Sequence, residues 1–231
     1  MKVLIIIPAY NEALNIEKTM KDLTQNANQY DYVIINDCSK DNTKEICEKN
    51  KFNVISLPVN YGLTSGIQIG MKYALENDYD IAIQFDGDGQ HQAKYLKDLV
   101  KEIEKNNCDI AIGSRFVTKK KPHSMRMFGS NIIQFAIKLV TGRKITDPTS
   151  GMRAYNKKAI KEFATNSSLT PEPDTLVYMM KKGMNVKEVQ VEMREREFGE
   201  SYLNTFKSME YMLSMMFSII FIRAFTKKGG K

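Results

Sequence analysis

The first hundred residues alternate short apolar runs with amphipathic stretches, and this alternation restricts the fold more than any other feature of the chain. Val3 to Ile7, Tyr32 to Ile35, Val54 to Leu57, Ile81 to Phe85 and Ile110 to Ile112 have the length and β-branched content of buried strands. Between them, Ala13 to Gln25, Thr43 to Lys49, Leu63 to Glu76 and Ala93 to Lys105 carry apolar residues at helical spacing. Strand and helix in turn predict an α/β fold, a mostly parallel central sheet with helices on both faces. A chain of 231 residues, 42% hydrophobic and 26% charged, is long enough to bury such a core as one domain with a short appendage.

In sheets of this kind ligands bind beyond the carboxyl ends of the strands, so the residues just after each apolar run bear on chemistry. They are unusually polar. The first strand ends in Pro8-Ala9-Tyr10-Asn11-Glu12, the second in Asn36-Asp37-Cys38-Ser39-Lys40-Asp41, the third in Asn60-Tyr61-Gly62 and the fourth in Asp86-Gly87-Asp88-Gly89-Gln90-His91. After Ser114 come a basic loop, an apolar helical stretch from Met125 to Val140, a Gly/Pro-punctuated segment from Thr146 to Asn156, and a helix-strand pair ending near Glu192.

Asp86 and Asp88 stand one residue apart at a buried strand's end, where their charges repel unless a cation lies between them. A hard ion held by one or two carboxylates, with water and a diphosphate completing its shell, suits Mg²⁺ or Mn²⁺, and Gln90 offers a further oxygen. An EF-hand loop requires an Asp or Asn where Gln90 stands and a glycine where His91 stands, which excludes it; a plain Asp-Gly turn is the other reading. Asp37 and Asp41 follow a strand at the place where acidic residues grip ribose hydroxyls, although Asp41 taken alone reads as a helix cap. Neither G-x-G-x-x-G nor G-x-x-x-x-G-K-[ST] follows the first strand, so dinucleotide-dependent oxidoreductases and P-loop enzymes are excluded.

Taken together, the four polar strand ends resemble those of family-2 glycosyltransferases of GT-A fold. Gly113-Ser114-Arg115, Thr146-Asp147-Pro148-Thr149-Ser150-Gly151-Met152-Arg153, and Arg196 with Gly199 and Ser201 narrow the resemblance to the dolichol- and polyprenyl-phosphate sugar synthases. The likeness spans roughly residues 2 to 202. It implies a GT-A catalytic domain over residues 1–202, with residues 203–231 forming a C-terminal amphipathic helix and basic tail that meets a membrane or a partner. It implies that Pro8, Ala9, Tyr10, Glu12, Asp37, Asp41, Asn60, Gly66 and Asp86 line the nucleotide-sugar pocket, and that Asp86, Asp88 and Gln90 hold the metal. Arg115, Arg126 and Arg196, with Ser201, would meet the phosphate of a lipid acceptor. Asp88, Asp147, Arg115 and Arg196 would carry the chemistry, with Asp147 as the base if one is used; a carboxylate in a turn before proline is its other reading. The chain departs from many relatives in the stretch Gly62-Leu63-Thr64-Ser65-Gly66 and in ending at Lys231, where they continue into membrane spans.

A net charge of +7, clustered at Lys119, Lys120, Lys121 and Arg126, at Arg194 and Arg196, and at Lys227, Lys228 and Lys231, calls for a polyanionic partner, nucleic acid or an anionic membrane. No nucleic-acid module is recognisable, which favours the membrane. Met212 to Ile222 is strongly apolar but shorter than the roughly 20 residues a span needs. An interfacial helix fits it, with Phe217, Ile220 and Phe221 in lipid and Arg223, Lys227 and Lys228 at anionic headgroups. Met125 to Val140 has the same logic, and for both a helix packed on the core or a partner subunit is the alternative. A small membrane-protein partner or a homo-oligomer would use the same Met-rich surface. Three cysteines in no zinc-ligand pattern, and no signal-peptide cleavage site, place the protein in a reducing cytoplasm, peripheral to the inner membrane face.

The expected activity is inverting, Mg²⁺- or Mn²⁺-dependent transfer of a hexose from a UDP- or GDP-sugar to a polyprenyl phosphate. A transferase acting on a glycan hydroxyl in cell-surface polysaccharide synthesis is the rival within enzymes, and a non-catalytic subunit the rival outside them.

Overall fold

The structure, a computed structural model, describes residues 1–105, 108–122, 124–195 and 205–225. In chain order the elements are β1 (Val3–Ala9), α1 (Ile16–Asn26), β2 (Asp31–Asn36), α2 (Thr43–Lys49), β3 (Val54–Ser56), α3 (Leu63–Glu76), β4 (Ile81–Gln84), α4 (Leu96–Glu104), β5 (Ile110–Ser114), α5 (Met125–Thr141), β6 (Arg153–Asn156), α6 (Lys157–Thr165), α7 (Pro173–Lys181), β7 (Val186–Gln190) and α8 (Thr205–Phe225). A 3₁₀ turn at Ala93–Tyr95 leads into α4. All five strands expected from apolar runs are present, with boundaries shifted by one or two residues at several ends.

One seven-stranded sheet runs in the order β3-β2-β1-β4-β6-β5-β7. Every pairing is parallel except those of β6, which lies antiparallel to both β4 and β5. The apolar runs are unbroken because each strand feeds two cores: Leu4 and Ile6 join one, Val3, Ile5 and Ile7 the other. The first core takes α3, α5, α6, α7 and α8; the second takes α1 and α4 through Ile16, Met20, Leu23, Leu96, Leu99, Val100 and Ile103. The strand order departs in opposite directions from β1 toward β2 and toward β4, which puts a topological switch point, where sheets of this kind form a crevice, at the carboxyl ends of β1 and β4.

Two expectations are corrected. The Gly/Pro-punctuated segment from Thr146 to Asn156 ends in strand β6, which pairs Arg153 with Gln84 and Ile112 and so lies inside the sheet. The single helix expected after it is two helices, α6 and α7, whose break at residues 166–172 contains Pro171.

The C-terminal helix is longer than its apolar stretch suggested and lies on the body of the protein. Ile219 is fully buried, and Tyr211, Met212, Met215 and Met216 pack on the first core. On α5, Gly129 has no side chain because Met212 occupies the space: a Cβ there would stand 1.6 Å from the Met212 Sδ. Tyr211 and Ser218 donate hydrogen bonds to Glu172 and Asp174, at the start of α7. Burial, with the Glu172 carboxylate beside it, pushes the Tyr211 hydroxyl far above the usual phenol range. The outer sides of α5 and α8 leave Phe128, Phe135, Leu139, Leu213, Phe217, Ile220 and Phe221 exposed. Among the described residues no helix is long and apolar enough to cross a membrane.

Candidate active site

The loops after β1 and β2 are stitched to each other. Asn11 and Cys38 adopt left-handed backbone, at φ 56° and 55°. The Asn11 amide donates to Ser39 Oγ at 3.0 Å, and the Lys40 amide returns a bond to Asn11 Oδ1 at 2.8 Å. Asp41 accepts from the Ala13 amide with one oxygen and from the Thr43 amide and hydroxyl with the other. It thus caps the start of α2 while tying down the β1 loop. Asp37, nearly buried, accepts from the Tyr61 and Gly62 amides at 2.7 Å each, and Asn60 donates to its carbonyl. Three strand ends therefore form one rigid rim, carrying Pro8, Ala9, Tyr10, Glu12, Asp37, Asp41 and Asn60. Gly66, in the first turn of α3, lies against Pro8 and Ile35.

Asp86 opens the next loop. Its amide donates to Nδ1 of buried His91 at 3.0 Å, so that nitrogen carries no proton, and His91 Nε2 stands 3.6 Å from Asp86 Oδ2. The other oxygen of Asp86 accepts from Gln84 Nε2 at 3.4 Å. The carboxylate is 32% exposed and has no lysine or arginine partner among the described residues, a condition that suits it to a cation. Asp88, nearly buried, accepts from the Gln90 amide at 3.0 Å. Asp86, Asp88 and Gln90 could hold a hard ion only with further ligands from a diphosphate and water, since among the described residues no group of three His, Cys, Asp or Glu could hold a metal ion.

The segment 146–151 closes on the same crevice. Gly151 lies so near Asp86 that a Cβ would come within 2.7 Å of its Oδ2, which only glycine permits without displacing the carboxylate. Arg153, 1% exposed, donates to the carbonyls of Ser150, Pro148 and Glu172 and so holds this segment from behind. Asp147 is fully buried and takes three bonds from Arg115, at the end of β5: from the amide at 3.0 Å, Nε at 2.7 Å and Nη2 at 2.8 Å. Glu188 on β7 accepts from the Asp147 amide and from the Thr146 amide and hydroxyl, all within 2.8 Å. Sequence reasoning did not single out Glu188, because it sits mid-strand in no motif. A relay therefore runs from Glu188 through Asp147 to the Arg115 guanidinium, whose side chain is 24% exposed.

Arg194 is a strut: its amide donates to the Gln90 carbonyl and its guanidinium to buried Asp22 of α1. Arg196 and Ser201 lie outside the described residues, as does the side chain of Arg126.

The mostly parallel seven-stranded sheet with helices on both faces has the GT-A architecture of glycosyltransferases. Residues 4–163 match the profile of the family described as Glycosyl transferase family 2, and the chain belongs to that family. It is similar to the UDP-N-acetylglucosamine–dolichyl-phosphate N-acetylglucosaminyltransferase of Methanococcus voltae, 30% identical over 84% of this chain and 86% of that one. The undecaprenyl-phosphate mannosyltransferase of Micrococcus luteus is 28% identical over 88% of each chain. Among solved structures, glucosyl-3-phosphoglycerate synthase of Mycobacterium tuberculosis, crystallised with Mn²⁺, UDP-glucose and phosphoglyceric acid, superposes with a TM-score of 0.70. It covers 99% of this chain and 82% of its own at 13% identity, which speaks to fold.

Proposed function

We propose that the protein transfers a hexose from a nucleotide-diphosphate sugar to a polyprenyl phosphate, inverting the anomeric centre, at the inner face of a membrane. The observation that carries this reading is that one short segment holds Arg115 through Asp147 and abuts Asp86 through Gly151. The names of the relatives support the acceptor class.

The rim of Pro8, Ala9, Tyr10, Glu12, Asp37, Asp41, Asn60 and Gly66 receives base and ribose, and Asp86, Asp88 and Gln90 hold the cation. When bound, Mg²⁺ or Mn²⁺ neutralises the charge that develops on the departing nucleoside diphosphate. A phosphate acceptor is already anionic at neutral pH, so it needs orientation more than deprotonation. Arg115 supplies that orientation, together with Arg126, Arg196 and Ser201. Asp147 acts through Arg115: a carboxylate with no exposed surface and both oxygens on one guanidinium positions that group and abstracts no proton. The exposed apolar sides of α5 and α8 lie on the membrane, where the hydrocarbon tail of the acceptor resides.

The test incubates the full chain with Mn²⁺, undecaprenyl or dolichyl phosphate, and a panel of radiolabelled UDP- and GDP-sugars. Label should enter the organic phase and be lost with a chelator. Label appearing instead in a water-soluble glycan would replace this reading with the glycan-hydroxyl one, and transfer undiminished by chelation would remove the metal.

A further inference from the structure

Three consecutive lysines precede α5, and the structure sends them to different places. Lys119 is exposed and pairs with Glu192 at 2.6 Å, and Lys120 is exposed. Lys121 turns inward. Its Nζ donates to Ser130 Oγ at 3.0 Å, Asn131 Oδ1 at 3.1 Å and Gln134 Oε1 at 3.5 Å, all on α5. Among the described residues it pairs with no carboxylate. Burial holds the ammonium below the ordinary lysine value, an effect that Asp147 and Glu188 oppose and Arg115 and Lys144 reinforce.

The same ammonium lies 5.6 Å from the Phe116 ring centroid, and the Arg115 guanidinium lies 5.1 Å from it. Two cations thus approach one aromatic ring, each attracted to its π-system, and only Arg115 of the two is paired with a carboxylate. The charge count decides which cation is available. Arg115 is offset by Asp147, so that pair is neutral as a unit. A phosphate monoester carries about −1.5 to −2 near neutral pH, and among the described residues Lys121 is a cation beside the Phe116 ring that, unlike Arg115, forms no ion pair with a carboxylate. The helix that supplies the three oxygens to Lys121 also exposes Phe128, Phe135 and Leu139, so the ammonium stands where an anionic head joined to a hydrocarbon tail would lie.

Building on the acceptor class proposed above, we infer that Lys121 is a further contact for the acceptor phosphate, its ammonium sharing the anion with the Arg115 guanidinium beside Phe116. The oxygens of Ser130, Asn131 and Gln134 hold it in place until the lipid phosphate arrives.

The experiment compares the unaltered full chain with Lys121→Met and Lys121→Arg in steady-state transfer, with thermal unfolding and vesicle binding measured alongside. Loss of a charged hydrogen bond raises the acceptor KM of Lys121→Met about tenfold or more, while the donor KM, the unfolding midpoint and binding to phosphatidylglycerol vesicles stay near those of the unaltered protein. Lys121→Arg regains most of the acceptor affinity. An equal rise in donor KM would move the lysine to the nucleotide diphosphate and overturn the inference. A fall in vesicle binding at unchanged acceptor KM would assign it to bilayer headgroups. A lowered midpoint with unchanged acceptor KM would make it only a strap between loop and helix. Lipid product at an unchanged KM would remove the lysine alone, whereas no lipid product from the unaltered protein would remove the acceptor class with it.

Discussion

Asp147 and Arg115 behave as one unit, because three hydrogen bonds join them and one partner is wholly buried. Removing one member of such a pair leaves an uncompensated charge, at a cost of the order of 3 kcal/mol. Asp147→Asn should therefore lower the unfolding midpoint and raise the acceptor KM together. Combining it with Arg115→Ala should add little, a coupling that a double-mutant cycle measures. A loss of kcat at unchanged stability, with a shifted pH profile, would instead make Asp147 the base. Asp86 differs in kind: one-third exposed and with no lysine or arginine partner among the described residues, it can lose its charge at little cost to the fold. Asp86→Asn should leave the unfolding midpoint near its original value, reduce transfer about 100-fold through lost stabilisation of the leaving charge, and abolish the Mn²⁺ dependence of nucleotide affinity, read by titration calorimetry.

At the scale of elements, α8 illustrates how packing overrides local pattern. Its apolar run reads as an interfacial helix with Phe217, Ile220 and Phe221 in lipid or as a helix packed on the core, and the other side docks on α5 and α7 through Ile219, Met212 and Tyr211. Gly129→Val should overpack the α5–α8 contact and destabilise the protein by about 1–3 kcal/mol, seen as a lower urea midpoint, with little effect on nucleotide binding. Strands β1 to β5 were legible as apolar runs because their residues reach both cores, and β7 as the strand of the helix-strand pair ending near Glu192. Strand β6 was not legible. Arg-Ala-Tyr-Asn is polar at both ends, and its place between β4 and β5 comes from antiparallel partners distant in the chain and from carbonyls that satisfy Arg153.

For the whole molecule, the exposed side chains of α5 and α8 and a net charge of +7 act together. Co-sedimentation should show stronger binding to vesicles containing phosphatidylglycerol than to purely zwitterionic ones, weakening with salt as the Debye length falls from about 10 Å at 0.1 M to about 3 Å at 1 M. The paired change Phe135→Glu with Phe217→Glu should reduce binding to both. Equal binding before and after that change would place the lipid contact elsewhere. By itself the sequence determined the strand-helix alternation, the rim of polar strand ends and the pair Asp86 and Asp88 flanking Gly87, because each is a matter of spacing along the chain. Only the tertiary structure decided that Glu188 backs Asp147, that Gly151 abuts Asp86, and that Lys121 faces inward while Lys119 does not. Those facts depend on which surfaces meet once distant segments are buried together, and local spacing carries no record of them.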